Sequence, residues 1–242
     1  MRLARFFIEG RHSIGKIIAL APGDARKLVS VLRAKNGDSI ELIDSSAHRF
    51  YAEIAIDGSN VTASLSRLIE RSTSELSCRV DLAQALPKAQ KMDFIVEKAI
   101  ELGAHRILPF VSERCIVRDA PEARITRWQR LARSAAEQSG RDILPEVHSA
   151  VPMANLVASF DQYDGVLFAW ELAEMSLHAA LTGVGAHWRS LLVMIGPEGG
   201  FSHDEAHIVT QARAHAVSLG PRILRTETAG LVVLAIVGYA YG

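Results

Sequence analysis

Glu198, Arg225 and Glu227 are the residues of this 242-residue chain best placed by type and spacing to do chemistry. They sit in two polar, glycine-bearing loops, residues 196–200 (GPEGG) and 219–229 (LGPRILRTETA). Loops of this kind leave backbone N–H and C=O groups open, and such groups can hold a purine and its ribose. A guanidinium such as Arg225 can stabilise an anion forming on a reacting base. A carboxylate such as Glu198 or Glu227 can accept the proton. The same residues also have plainer uses: the glycines in a tight strand-to-helix turn, the glutamates in helix capping or pairing with an arginine. Ile223 and Leu224, inside the second loop, are expected to face the core as apolar walls. Other chemistries lack their residues. There is no G-x-G-x-x-G after the first strand, no G-x-x-x-x-G-K-[ST], no H-E-x-x-H and no G-x-S-x-G. His203 and His207 stand four apart, but the sequence offers no third ligand, so no metal is expected.

Both loops follow apolar segments that can carry them. Residues 191–195 (LLVMI) have no polar alternation and read as a buried strand. Just past the first loop, Ser202 and Glu205 form the S-x-x-E pattern of a capping box, which predicts a helix over 202–216. A buried strand, a glycine loop and a helix N-terminus in succession make a ligand-binding corner in open α/β sheets. The second loop leads into an apolar helix starting near residue 228.

From residue 79 onward strands alternate with helices, which predicts a parallel sheet. Strands are expected over 79–86, 106–111 and 165–170, helices over 88–102 and 122–139, and a helix-like stretch over 171–180 before a glycine loop at 182–185. The helix over 88–102 turns Met92, Ile95, Val96, Ala99, Ile100 and Leu102 to one face. The helix over 122–139 carries Arg124, Arg127, Arg130 and Arg133, with Arg141 just beyond it and Glu137 the one acidic residue among them. Three-residue spacing drifts by about 60° per step, so these arginines form a broad basic flank suited to phosphate contacts. Residues 1–70 read mostly as β-structure, with strands over 39–44, 51–56 and 60–69 and an Asp57-Gly58 turn, suggesting a small barrel. A short helix opened by Pro22 is expected to bury Leu28, Val31 and Leu32. The polar stretch 71–77 (RSTSELS) is the domain boundary.

Composition sets the outer limits. Apolar residues make up 49% of the chain, and 27 basic side chains balance 27 acidic ones, as in a globular protein with ample core. The N-terminus lacks a signal-peptide layout. The apolar run at 229–241, about thirteen residues, is too short to span a bilayer, so no membrane partner is expected. Cys78 and Cys115 have no metal-ligand spacing and are expected as small core residues in a reducing cytosol. Charge is unevenly spread: residues 1–35 hold eight Lys/Arg against Glu9 and Asp24, and the rest of the chain is correspondingly acidic. Such a segment is a polyanion footprint or a solvated basic surface.

Residues 196–202 (GPEGGFS) together with 219–229 closely resemble the RsmE family, bacterial 16S rRNA uridine N3-methyltransferases of the SPOUT superfamily. Residues 31–38 (VLRAKNGD), 84–88 (QALPK), 97–103 (EKAIELG), 112–115 (SERC) and 135–141 (AAEQSGR) agree, so the resemblance runs nearly end to end. Lys27 departs from the histidine found there in many members. The resemblance implies an α/β protein: a PUA-like, RNA-binding β-barrel over residues 1–72, then a SPOUT methyltransferase domain over 73–242 with a deep trefoil knot, built as a homodimer. It implies S-adenosylmethionine as cofactor, held by Ala169, Trp170, Glu171, Ile195, Gly196, Pro197, Glu198, Gly199, Gly200, Leu219, Gly220, Ile223, Leu224, Arg225 and Thr226. The implied target is N3 of a uridine in 16S rRNA near the decoding centre, on the small ribosomal subunit in the cytoplasm. Arg225 would then stabilise the uracil anion, and Glu198 or Glu227 would take the proton. Arg5, Arg11, Lys27, Arg33, Arg114, Arg127, Arg130 and Arg141 would contact RNA. Two rival readings stand beside this one: a SPOUT methyltransferase of another RNA target, and a non-catalytic RNA-binding ribosome-assembly factor.

Overall fold

The computed structural model describes residues 3–69 and 74–242. Arg2 and the 71–73 part of the expected boundary lie outside the described residues. The chain divides into two compact units, Met1–Ser74 with Ala136–Leu144, and Glu75–Ala135 with Pro145–Gly242.

The first unit contains β1 (Arg5–Phe7), β2 (Ile17–Ala19), α1 (Pro22–Arg26), β3 (Ser39–Ile43), β4 (Arg49–Asp57) and β5 (Asn60–Ile69). Its five strands form one mixed sheet in the order β1-β3-β4-β5-β2, with β1 parallel to β3 and the other pairs antiparallel. Alternation along β4 and β5 sends Phe50, Ala52, Ile54, Val61, Ala63 and Leu65 into a common core. Past α1 the chain enters a wider turn over Lys27–Val31, in which the Leu32 N–H donates to the Lys27 carbonyl at 3.0 Å, five residues back. The wider turn rotates the next residues off the α-helical face. Leu28 is therefore buried, but Val31 and Leu32, expected inside, are 71% and 46% exposed.

Two expected RNA contacts are also corrected. Arg5 and Arg141 are buried, at 8% and 4% exposure. The Arg5 guanidinium donates to Glu41 Oε2 at 2.9 Å through Nε and to the carbonyls of Gly140 and Arg141, which leaves it holding the unit together rather than facing a phosphate. Arg49 reaches Asp142 at 3.1 Å, and Lys27 reaches Glu137 at 2.8 Å.

The second unit contains β6 (Arg79–Ala85), α2 (Lys91–Glu101), β7 (Arg106–Val111), α3 (Glu122–Ser139, its last turn in the first unit), β8 (Glu146–Val147), β9 (Val151–Pro152), α4 (Met153–Val157), β10 (Gly165–Ala169), α5 (Leu177–Thr182), β11 (Ser190–Ile195), α6 (His203–Gln211), β12 (His215–Val217) and α7 (Thr226–Tyr241). The strands run in the order β12-β10-β11-β6-β7-β8, with β9 also on β7, and every pair is parallel. The apolar runs of β10 and β11 are buried, as strands central to a covered sheet must be.

Three expected helices are revised by backbone conformation and pairing. The helix expected from residue 88 starts at Lys91, because Ala89 is left-handed at φ +56°. The stretch 171–180 is a turn until Leu177, because Ser176 bridges to Ser218 and its hydroxyl caps α5 by accepting from the Ala179 N–H at 3.1 Å. The helix expected over 202–216 ends at Gln211. Arg213 at φ +68° breaks it, and 215–217 pairs with β10 as an edge strand. Among the described residues no helix is long and apolar enough to cross a membrane.

Near the start of β6, Asp81 is fully buried. It accepts from Arg106 Nε at 3.0 Å and from the Tyr163 hydroxyl at 2.8 Å, and His105 Nδ1 lies 3.4 Å away. Burial pushes its pKa up, but these three partners outweigh burial and bring it from 3.8 down to about 2. A carboxylate with a depressed folded pKa adds stability above its unfolded value and loses it as pH falls through the folded one. The difference is worth about 2 kcal/mol. Asp81→Asn is expected to flatten the fall of the urea midpoint between about pH 4 and about pH 2. At neutral pH it should cost about 3 kcal/mol by stranding Arg106. Wild-type midpoints at both pH values would contradict this.

Candidate functional site

The C-terminal ends of β10, β11 and β12 open onto one cavity of about 940 Å³. Its walls are residues 169–171, 195–201 and 218–226, with Lys91 from the start of α2 and Ala229 from α7. All the residues expected to hold a cofactor line it, as do two of the three expected catalytic residues, Glu198 and Arg225. The third, Glu227, reaches the cavity through Lys91. Ile223 is a correction: it is 83% exposed rather than core-facing, while Leu224 is half-buried. Gly220 at φ +106° and Pro221 turn the chain outward before them, so both side chains form cavity wall.

Phe201 fixes the first loop. It is buried, with its ring centroid 6.4 Å from Phe110 and 5.8 Å from Phe168. A Cβ at Gly196 would meet that ring at 3.2 Å, so a side chain there would have to push the ring back by a few tenths of an ångström. Gly200 is left-handed at φ +66°, and a Cβ on it would lie 3.0 Å from Glu171 Oε1. The expected capping box is present: the Ser202 hydroxyl accepts from the Glu205 N–H at 3.2 Å, and Glu205 accepts from the Ser202 N–H at 3.0 Å. Glu205 also accepts from the Glu113 N–H at 2.7 Å, and Ser202 donates to the Glu113 carboxylate at 2.8 Å. The 112–115 segment is thereby tied to the same cap.

Thr226 joins the two loops. Its hydroxyl donates to the Gly196 carbonyl at 2.6 Å and accepts from Gln84 Nε2 at 2.9 Å, all of it buried. The end of β6, the first loop and the start of α7 therefore meet at one oxygen.

Charge converges at the rim. Lys91 Nζ lies 3.0 Å from Glu198 Oε1 and 3.0 Å from Glu227 Oε2. The Lys88 N–H also donates to Glu198 Oε1, at 3.1 Å. Burial pushes both carboxyl pKa values up, but backbone N–H groups and the Lys91 ammonium outweigh it and hold both below the ordinary range. Arg225 is exposed at the N-cap of α7, on the cavity wall. Arg114 donates to the Gly199 carbonyl at 2.8 Å and backs the first loop from outside. On α3, Arg127 pairs with Asp93 at 2.6 Å and Arg130 is exposed.

Sequence reasoning assigned no role to Lys91 or Gln84. The available signals were the polar position of Lys91 at the opening of an otherwise apolar-faced helix and the placement of Gln84 at the end of a buried strand. Among the described residues, no cluster of three His, Cys, Asp or Glu is arranged to hold a metal.

Known proteins share both the sequence and the architecture. The profile of the RNA methyltransferase domain family matches residues 74–238. The ribosomal RNA small subunit methyltransferase E of Bacillus subtilis is 32% identical over 247 residues, covering 98% of this chain and 96% of that protein. The protein of the same name from Mycobacterium tuberculosis is 29% identical, covering 96% and 90%. The crystal structure of a ribosomal RNA small subunit methyltransferase E from Neisseria gonorrhoeae, bound to S-adenosyl methionine, superimposes with a TM-score of 0.87 at 30% identity, covering 99% and 98%.

Thr226→Val keeps the side-chain shape and removes both hydrogen bonds. The expected result in denaturant unfolding is a loss of about 1–3 kcal/mol, since the Gly196 carbonyl is left unpaired in a buried place. Wild-type stability in that variant would contradict the tie.

Proposed function

Because the chain belongs to the RNA methyltransferase family, and within it to the RsmE group of small-subunit rRNA methyltransferases, we propose that it methylates N3 of a uridine in 16S rRNA near the decoding centre. As a family member it is an S-adenosylmethionine-dependent rRNA methyltransferase. The choice of atom and position is our reading. One observation carries it. The two loops that bear the family resemblance fold around a single cavity at the strand ends, in a chain that small-subunit rRNA methyltransferases match over almost its full length.

The residues present suit the cofactor. The cavity volume falls in the range of small-molecule sites, roughly 300–1,000 Å³. Backbone of 195–200 and 218–225 offers N–H and C=O groups, and a side chain at Gly220 would stand in open space. Trp170, Ile223 and Leu224 supply apolar wall. When bound, S-adenosylmethionine supplies an electrophilic methyl group on a positively charged sulfur.

Uracil N3 is a weak acid and reacts as its anion. The chain must therefore favour that anion and hold it in line with the methyl group, and good orientation alone is worth roughly 7–11 kcal/mol. Arg225 is assigned to the uracil carbonyls, where negative charge grows. Glu198 and Glu227 are held as ions by Lys91, each with an oxygen 3.0 Å from its ammonium. They are assigned to orientation, with the N3 proton lost to a solvent base such as hydroxide before the methyl group is attacked.

The finer architecture belongs to the same proposal. Residues 1–72 are read as a PUA-like barrel and 73–242 as a SPOUT domain with a deep trefoil knot, forming a homodimer that works in the cytoplasm on the small ribosomal subunit. The mixed sheet of the first unit and the parallel sheet of the second are compatible with this. General topology rules disfavour knots, so the knot rests on family likeness alone. Arg11, Lys27, Arg33, Arg114, Arg127 and Arg130 are retained as RNA contacts on the strength of their charge and exposure.

The test uses small subunits from a strain lacking the protein. Wild-type protein with S-adenosylmethionine should form 3-methyluridine, mapped by mass spectrometry, and Arg225→Ala should lower kcat about 10²-fold. Cofactor binding with no 3-methyluridine would overturn the assignment in favour of an RNA-binding assembly factor. Reversing Arg127 and Arg130 to Glu should weaken RNA binding and lower the slope of log K against log salt by about 2. An unaltered slope would return that helix face to solvated surface.

A further inference from the structure

Lys91 has more hydrogen-bonding capacity than its two carboxylates use. An ammonium carries three N–H donors and no acceptor. Glu198 Oε1 accepts one at 3.0 Å, and Glu227 Oε2, an ion-pair partner 3.0 Å from Nζ, can take at most one more. The side chain is half-buried and lines the cavity that Arg225 also lines. The two carboxylates come from different elements, the 196–200 loop and the first turn of α7. Being gripped from both fixes the ammonium in place before any ligand arrives. Its interactions with the Glu198 and Glu227 carboxylates also raise its pKa above the ordinary lysine value, so it remains a cation.

We propose that Lys91 donates its remaining N–H to a carbonyl oxygen of the target uracil during methyl transfer, as a second cation beside Arg225. The proposal rests on the reading of this site as a uridine N3-methyltransferase. When N3 loses its proton, negative charge spreads onto the two carbonyl oxygens that flank it, O2 and O4. Two oxygens call for two donors. The cavity wall carries Lys91, Arg222 and Arg225, and of these Lys91 is the one paired to two carboxylates. The N3–H bond breaks and its proton passes to a solvent base such as hydroxide. The freed pair forms the N3–methyl bond, and the carbon–sulfur pair stays on sulfur in the S-adenosylhomocysteine product. A donor already oriented by two fixed carboxylates need not reorganise as this charge develops, which is the condition under which such contacts lower a barrier most. This also gives Glu198 and Glu227 a use that suits their contacts: they hold a cation in place.

The experiment compares full-length wild type, Lys91→Met and Lys91→Arg on unmethylated small subunits. It measures kcat, KM for subunits, S-adenosylmethionine affinity by calorimetry, and melting temperature. Lys91→Met should lose about 10²-fold in kcat while cofactor affinity stays within about threefold, and Lys91→Arg should recover about tenfold of that loss. If Lys91→Met does not fold, Lys91→Gln is judged on the same terms. A kcat within about threefold of wild type overturns the proposal. So does a kcat loss matched by an equal loss of cofactor affinity, which would make Lys91 a tie between cavity walls. A wild-type protein that binds cofactor and leaves uridine unmethylated overturns the underlying reading instead, whereas wild-type turnover with an unaffected variant overturns only the role of Lys91.

Discussion

The hydroxyl of Thr226, buried between the Gln84 amide and the Gly196 carbonyl, is the contact on which the site depends. A parallel sheet delivers its loops to one edge but does not by itself say how they should lie there. Here one oxygen ties the end of β6 to both loops. Everything on the cavity wall is built outward from that point. Phe201 holds the far end of the first loop in the core, and the Ser202–Glu205 box starts α6 directly behind it. The second loop leaves Thr226 in the other direction and turns outward at Gly220. A cavity with backbone-rich walls therefore needs few large side chains to keep its shape.

The electrostatics arise from the same geometry. Because Glu198 and the first turn of α7 are brought to one rim, two carboxylates find themselves within reach of a single ammonium. Two carboxylates crowded together would ordinarily raise each other's pKa, and a shared cation reverses that tendency. The outcome is a rim of ions held in fixed positions. A reaction that creates an anion next to a sulfonium gains more from such fixed charge than from a mobile proton acceptor.

Much of this was legible in the sequence, and the failures have identifiable causes. The strand, glycine loop and capping box at 191–205 were readable because each is a local signal with its own chemistry. The alternation of strands and helices after residue 79 was readable for the same reason. Backbone conformation was not. Ala89 and Arg213 adopt left-handed geometry without being glycine, and these two residues moved the boundaries of two helices. Val31 and Leu32 follow helical spacing, but the wider turn at Lys27–Val31 put them on the outside. Ser176 joined the sheet edge through Ser218, a partner 42 residues away, which no local pattern could announce. Among candidate RNA contacts, type alone did not separate Arg5 and Arg141, which are buried, from Arg130, which is exposed. At the site, every wall residue expected to hold the cofactor was named from family resemblance. Lys91 was missed because its importance lies in two contacts with distant residues, Glu198 and Glu227.

The central claim is that loops 195–201 and 218–226 form one binding site because Thr226 joins them. Amide hydrogen exchange of the full chain, with and without saturating S-adenosylmethionine, addresses it most directly. The expected result is slowed exchange in both loops together, with β4 and β5 of the first unit unchanged. Protection of one loop alone, or of neither while the ligand is bound, would contradict it.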